Sequence, residues 1–456
     1  GTIIDTMALP AGLFADPEGI TAIGGGQFVV ANERVRTANL LTYTPGTTLD
    51  AATVRSVKLG TTVGTAGLEG VSVDPLTTGY IFENGTTGGS IPKEYIPAVI
   101  DGINESGGEA FKFCYQCGKC ETVCPWNNVR YFPVRKYINQ AKYGVVPFES
   151  EDVWLCATCG RCPQYCPRGV EIIEVMRSVR RLLVPDGVVP ASLPSLRSTM
   201  TNIASVGNPW GQDPNERMNW AKDLEVKEFD ETTEILYFPC CYPSYDPRLK
   251  KVSQATANIL NKAGVNFGVL GSKEMCCGES VRKTGNEALF KRLAKENIKT
   301  WIDSGVKKIL VSSPHCFHTF KNEYPEFSVN FEVIHISQFL FELINEGRLT
   351  IKKEYARKVT YHDPCYLGRH NGVYDEPRGV LQKIPGLELI EITDNHKDSL
   401  CCGMGGGRVW METEKNERFA NIRIEQAIAT GAQVLATACP YCVFALEDSK
   451  LVTNHA

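Results

Sequence analysis

The sequence predicts an α+β multidomain protein: an N-terminal all-β segment, a helical region with clustered cysteines, then two duplicated α/β domains. Three observations lead there. Residues 1–90 hold 16 Thr, four Lys or Arg and no Cys. Two four-cysteine runs follow between Cys114 and Cys166. Beyond residue 234, strand-like and helix-like segments alternate twice in the same order, with cysteines at the strand ends.

Composition bounds the function. The 456 residues suffice for several domains. A net charge of −4, from 48 Lys+Arg against 52 Asp+Glu, lacks the basic excess of a nucleic-acid binder. No apolar run of about 18 residues is present, so no membrane-spanning helix is expected. The start, GTIIDTMALPAG, has neither the basic nor the apolar region of a signal peptide. All 18 cysteines lie at or after Cys114, in tight clusters with long gaps. A disulfide framework would spread them; clusters point to metal and a reducing compartment, hence to a cytoplasmic protein.

Within residues 1–90, GQFVVANE (26–33) and VSVDPLTTGYIF (71–82) read as strands punctuated by Gly, Asn and Pro. PEGIT at Pro17–Thr21 and LEGVS at Leu68–Ser72 repeat 51 residues apart, a period that suits propeller blades. These phrases resemble the SdiA-regulated, phytase-like propeller family. Two blades cannot close a propeller. The segment is therefore expected to be a fragment, a small all-β appendage, or sequence foreign to this polypeptide.

Residues 91–196 carry the first chemistry. Cys114, Cys117, Cys120 and Cys124, followed by Pro125, repeat as Cys156, Cys159, Cys162 and Cys166, followed by Pro167. Both fit the C-x2-C-x2-C-x3-C-P run of two-cluster ferredoxins, in which the fourth Cys serves the other cluster. One [4Fe-4S] cubane is expected on Cys114, Cys117, Cys120 and Cys166, the other on Cys156, Cys159, Cys162 and Cys124. A zinc ribbon needs four ligands from two knuckles and fits badly. The insert RYFPVRKYINQAKYG is expected to add helix. Pro185, Pro190 and Pro194 suggest a linker near 184–196, and residues 197–233 a helical connector.

The duplicated unit spans residues 234–350 and 351–456. The first copy runs from EILYFPC through a CCG loop to SPHC; the second runs from KVTYH and DPCYLGR through a CCG loop to CPYC. Cys365, Cys401-Cys402-Gly403 and Cys439-Pro440-Tyr441-Cys442 are separated by 35 and 36 residues. Ligands of such sheets sit beyond the carboxyl ends of the strands, where these cysteines fall.

With these motifs, residues 105–450 resemble the heterodisulfide reductase D-subunit family, in which a ferredoxin-like domain is fused to two CCG domains. The resemblance implies a non-cubane [4Fe-4S] cluster on Cys365, Cys401, Cys402, Cys439 and Cys442. The first unit offers Cys241, Cys276, Cys277 and Cys316, but Ser313 stands where Cys439 stands in its twin. It is expected to hold a further iron–sulfur cluster. Either the neighbouring Cys240 compensates, or four thiols hold an ordinary cube. The second alternative is the one expected, so that the two units differ in cluster type and the C-terminal one carries the non-cubane cluster. His362, three residues before Cys365, is the candidate proton donor; His315, His318, His370 and Glu279 are weaker ones.

The function expected is an iron–sulfur electron-transfer subunit of a larger oxidoreductase. Its partners would be a flavoprotein or other redox subunits, with a membrane quinone module reached only through a partner. The competing expectation is the catalytic subunit of a disulfide reductase.

Overall fold

The computed structural model describes residues 17–24, 27–32, 37–42, 54–58, 68–73, 80–84, 96–146, 151–184 and 193–453. The described residues fall into two bodies, one from within 1–97 with 115–117 and the other from within 98–114 and 118–456. In the first, β1 (Pro17–Gly24), β2 (Gln27–Asn32), β3 (Thr37–Thr42) and β4 (Arg55–Lys58) form an antiparallel sheet in chain order. β5 (Leu68–Val73) pairs antiparallel with β6 (Tyr80–Asn84). The stretch read as VSVDPLTTGYIF thus contributes to two strands, and residues 74–79 lie outside the described residues.

The second body begins with short helices: α1 (Pro97–Glu105), α2 (Lys119–Thr122), α3 (Val134–Tyr143), α4 (Arg161–Gln164), α5 (Ile172–Leu183) and α6 (Pro194–Val206). α3 is the helix expected in the insert; it buries Val134, Tyr137, Ile138 and Ala141, one face at helical spacing. α2 and α4, each just after a C-x2-C turn, pack on one another. Most of the linker expected near 184–196 lies outside the described residues. Pro194 opens α6, where its missing N–H costs nothing.

The first repeat contains β7 (Ile235–Phe238), α7 (Cys241–Tyr245), α8 (Lys250–Lys262), β8 (Phe267–Gly268), α9 (Glu279–Lys283), α10 (Glu287–Asp303), β9 (Lys308–Val311), α11 (Pro314–His318), β10 (Glu332–His335) and α12 (Ile336–Asn345). Its sheet is parallel, in the order β10-β9-β7-β8. The second contains β11 (Lys358–His362), α13 (Asp375–Gln382), β12 (Glu388–Leu389), α14 (Phe419–Ala429), β13 (Val434–Thr437) and α15 (Pro440–Val452). Its sheet, β12-β11-β13, is also parallel. β7, β8 and β9 correspond to β11, β12 and β13. VNFGVL and LELIEI shrink to the two-residue edge strands β8 and β12, each paired on one side only. β10 and α12 were not anticipated; they have no counterpart in the second repeat among the described residues.

One hydrophobic core runs from the cysteine-run region into both repeats. It joins Trp126, Ile138 and Val179 to Leu236, Phe290 and Trp301, and to Tyr366 and Cys401. α10 shows how such a helix is specified: Asn286 accepts a bond from the Leu289 N–H at 3.0 Å, and Leu289, Phe290, Leu293, Ala294 and Trp301 are buried along one face.

Candidate metal centres

The two four-cysteine runs fold alike. Gln116 and Thr158, at equivalent places, have φ of 65° and 48°, and the following Gly118 and Gly160 have φ of 79° and 78°. Each run thus turns back on itself with backbone N–H groups available to sulfur. Cys124 lies close enough to Cys159 and Cys156 to interact electrostatically, and Cys162 interacts with Cys156, Cys159 and Cys124. The fourth cysteine of the first run is therefore brought among the thiols of the second. Cys114 and Cys166 are half-buried, Cys117 is exposed, and buried Cys120 lies near Cys124 and Cys162.

The cysteines of both repeats stand just past the carboxyl ends of parallel strands. Gly278 and Gly403, with φ of 82° and 96°, let each Cys-Cys-Gly turn reverse in a conformation closed to other residues without strain. In the second repeat, Cys401 contacts Cys365 and Cys402, and Cys402 lies 3.4 Å from Cys442, which contacts Cys439. In the first, Cys241 contacts Cys276, and Cys277 lies 3.4 Å from Cys316. All ten cysteines of the two repeats, Cys240 included, are buried.

The donor sets fit iron–sulfur clusters chemically. They are soft thiols, all buried in the two repeats and mostly half-buried in the two runs, with main-chain N–H groups directed at sulfur: Val170 to Cys166 at 3.3 Å, Gly278 to Cys276 at 3.5 Å and Gly403 to Cys401 at 3.3 Å.

Buried polar groups surround them. The Arg423 Nε donates to His362 Nδ1 at 3.0 Å, so the His362 proton sits on Nε2, which faces Cys402. Burial holds His362 below its usual range, in the neutral form, although Cys402 pulls the other way. His362, Cys402 and Cys442 present ligand atoms within 4.8 Å of one another. In the first repeat, Arg217 donates to Cys241 at 3.6 Å and pairs with Glu274 at 2.7 Å, all buried.

His315 links the repeats. It bonds Glu279 at 3.0 Å and lies between the rings of Tyr366 and Tyr441, at 4.2 and 4.3 Å. Its other partner is Cys439 of the second repeat. Burial disfavours its charge, but the Glu279 carboxylate and Cys439 together draw it up to about 10. His318 and His370 are also neighbours, with ring centroids 5.1 Å apart, and His370 stacks on Tyr366.

The second cysteine run is clamped onto the second CCG turn. The Cys159 thiol lies in contact with that of Cys401. Arg369 donates to the Cys159 carbonyl at 2.8 Å and His370 to that of Thr158 at 2.9 Å, while Tyr366 and Thr158 share a hydroxyl bond of 2.7 Å. Arg180, fully buried, donates to the carbonyls of Val153, Cys156, Lys283 and Gly406 at 2.8–3.0 Å. A Cβ on Gly406 would stand 2.4 Å from the Cys156 carbonyl oxygen, so glycine is what allows the approach.

Residues 235–321 and 359–447 match the family described as "Cysteine-rich domain", CCG, and residues 110–170 match "4Fe-4S dicluster domain". Residues 1–85 match the family described as "SdiA-regulated". The D-subunit of the dihydromethanophenazine:CoB--CoM heterodisulfide reductase of Methanosarcina barkeri is 32% identical over 369 residues, 74% of this chain and 88% of that protein. The chain belongs to the family of CCG-domain iron–sulfur oxidoreductases that resemble this D-subunit. It is also 40% identical over 309 residues to a probable iron-sulfur-binding oxidoreductase, FadF, of Bacillus subtilis. The EtfAB:quinone oxidoreductase of Syntrophomonas wolfei is 39% identical over 314 residues. Both matches cover 66% of this chain but 43% of the relative, so the chain spans under half the length of these two proteins. Among the described residues no helix is long and apolar enough to cross a membrane.

Sequence reasoning missed Arg180, Arg369 and the Cys159–Cys401 contact. Arg180 did leave a signal: it continues the buried face of α5 set by Ile173 and Met176, where a charge is out of place.

Proposed function

We propose that the chain is an iron–sulfur electron-transfer subunit of a larger oxidoreductase. In this reading Cys114, Cys117, Cys120 and Cys166 hold one [4Fe-4S] cubane, and Cys156, Cys159, Cys162 and Cys124 the other. Cys365, Cys401, Cys402, Cys439 and Cys442 hold a non-cubane cluster; Cys241, Cys276, Cys277 and Cys316 hold a further cluster. Such clusters supply single-electron transfer. The contact between Cys159 and Cys401 carries the reading, since it joins a ligand of the second ferredoxin set to a ligand of the second CCG set. Arg180, Arg369 and Tyr366 hold the two loops together. His362, fixed by Arg423, turns its Nε2 proton towards Cys402.

The domains proposed are 1–90, an all-β segment without a cluster; 91–196, ferredoxin-like; 197–233, a connector; 234–350 and 351–456, the CCG domains. The partners proposed are a flavoprotein or other redox subunits, with a quinone module reached through a partner, and the location is cytoplasmic. The name of the S. wolfei relative supports that partner class.

A second reading, disulfide reduction at the second CCG site, is supported by the name of the M. barkeri relative, most of which the chain covers. One experiment separates the two. The anaerobically reconstituted chain is expected to hold about 16 Fe, the sum of four four-iron centres. Once reduced, it is expected to turn over a small disulfide slowly or not at all. Rapid turnover without other subunits contradicts the relay. Saturation near half that iron contradicts cluster binding by the CCG domains.

A further inference from the structure

We propose that Cys240 is the fifth thiol ligand of the first CCG site, filling the part that Ser313 cannot. The inference rests on the reading that this site holds an iron–sulfur cluster.

Ser313 and Cys439 occupy matching places. Each precedes a proline that opens a helix, α11 and α15, and each has extended backbone, with φ of −113° and −146° and ψ of 126° and 125°. At Cys439 the side chain is a free thiol in contact with that of Cys442. At Ser313 it is a hydroxyl that is fully buried and makes no hydrogen bond, not even the helix-capping bond common for serine. A buried hydroxyl without a partner is unfavourable. It is also a hard, poor ligand for iron. The first site is therefore one thiol short at this corner.

Cys240 lies beside the gap. Its φ of 77° and ψ of 158° fall in a region that is essentially glycine's alone. The matching residue of the second repeat, Pro364, has no access to such a conformation. Cys240 is buried, at 6% exposure, and its thiol lies against those of Cys316 and Cys277. A cysteine that merely fills space needs no strained backbone, and glycine would sit there at ease. Strain kept at a buried thiol among four other buried thiols is explained if that thiol binds the cluster. With Cys240 the first site has five thiols, as its twin has.

The test uses the anaerobically reconstituted full chain, read by iron content and by Mössbauer and electron paramagnetic resonance spectra. Cys240→Gly relaxes the backbone, so far-ultraviolet circular dichroism and thermal midpoint of the metal-free chain are expected to hold or improve. The same substitution is expected to abolish or convert the spectrum of the first site, leaving the other three unchanged. Cys240→Ala is expected to give the same spectral loss. Cys240→Gly combined with Ser313→Cys is expected to restore a five-thiol signature. Unchanged spectra in Cys240→Gly overturn the proposal while leaving the site itself standing. If instead Cys276→Ser with Cys277→Ser removes no iron from the parent, the site holds no cluster and the reading beneath the proposal fails.

Discussion

Arg180→Met is expected to destabilise the protein by about 4 kcal/mol or more, because four buried carbonyls lose their donor at about 1–3 kcal/mol each. Val153, Cys156, Lys283 and Gly406 supply those carbonyls, and they come from the turn before the second cysteine run, the start of that run, the end of α9 and the glycine loop after Cys402. The guanidinium is fully buried; burial lowers its pKa, and the nearby Cys156 works against that. Its positive charge also favours an anionic thiolate centre at Cys156. The substitution should therefore act twice. Urea unfolding should show the loss of stability. In whatever fraction still folds, the midpoint potential of the centre on Cys156 should move negative, because the added electron loses a favourable charge. Arg180→Lys should keep most of the potential and lose part of the stability. A loss under about 1 kcal/mol for Arg180→Met would show that the carbonyls find other partners.

Mild acid is expected to weaken the fold through buried neutral imidazoles, His318, His335, His362 and His370, partly offset by His315, whose charge the fold favours. His335 and His370 are held down to about 3, mainly by burial, and for His370 also by nearby Lys283 and Arg369. A base whose folded pKa is depressed stabilises the fold above its unfolded value, near 6.5, and that stability is lost as pH falls towards the folded value. At pH 5 each should have cost on the order of 2 kcal/mol relative to pH 7.5. For His335 the structural reason is direct: Nδ1 accepts from the Ser337 N–H at 3.3 Å as the cap of α12, and protonation removes that acceptor. Glu323, held at about 2 against its burial by Lys283 and Arg177, adds a further loss only below about pH 4.5. Stability should fall from pH 7.5 to 5, and near pH 5 His370→Gln should reduce the slope by about one proton per chain. A flat profile would contradict buried, neutral imidazoles.

The cysteine sets were legible because metal ligation fixes both residue type and spacing. Cys114 to Cys124 and Cys156 to Cys166 can be read letter by letter, and the twin CCG turns gave the register of the repeats. The strand ends at Cys241, Cys316, Cys365 and Cys439 followed from strand–helix alternation. What stayed hidden depends on long-range packing. Nothing near Cys159 announces Cys401, since the contact arises only when the first helical region docks on the second repeat. His315 could be singled out beside Cys316, but not its reach to Cys439 in the other repeat. β10 and α12 lie beyond the last cysteine the two repeats share, and a four-residue strand carries little pattern of its own. The positive φ of Cys240 was likewise invisible, although its doubling with Cys241 marked the position as unusual.

The central claim is that the ferredoxin-like region and the second CCG domain form one electron path through the Cys159–Cys401 junction. It is tested most directly by electron paramagnetic resonance of the loaded chain during stepwise reduction. At potentials where the centre on Cys156, Cys159, Cys162 and Cys124 and the centre on Cys401 are both paramagnetic, their signals should be split or broadened by spin–spin coupling and relax faster than either alone. Two signals that add as independent spectra, with unaltered relaxation, would contradict the account.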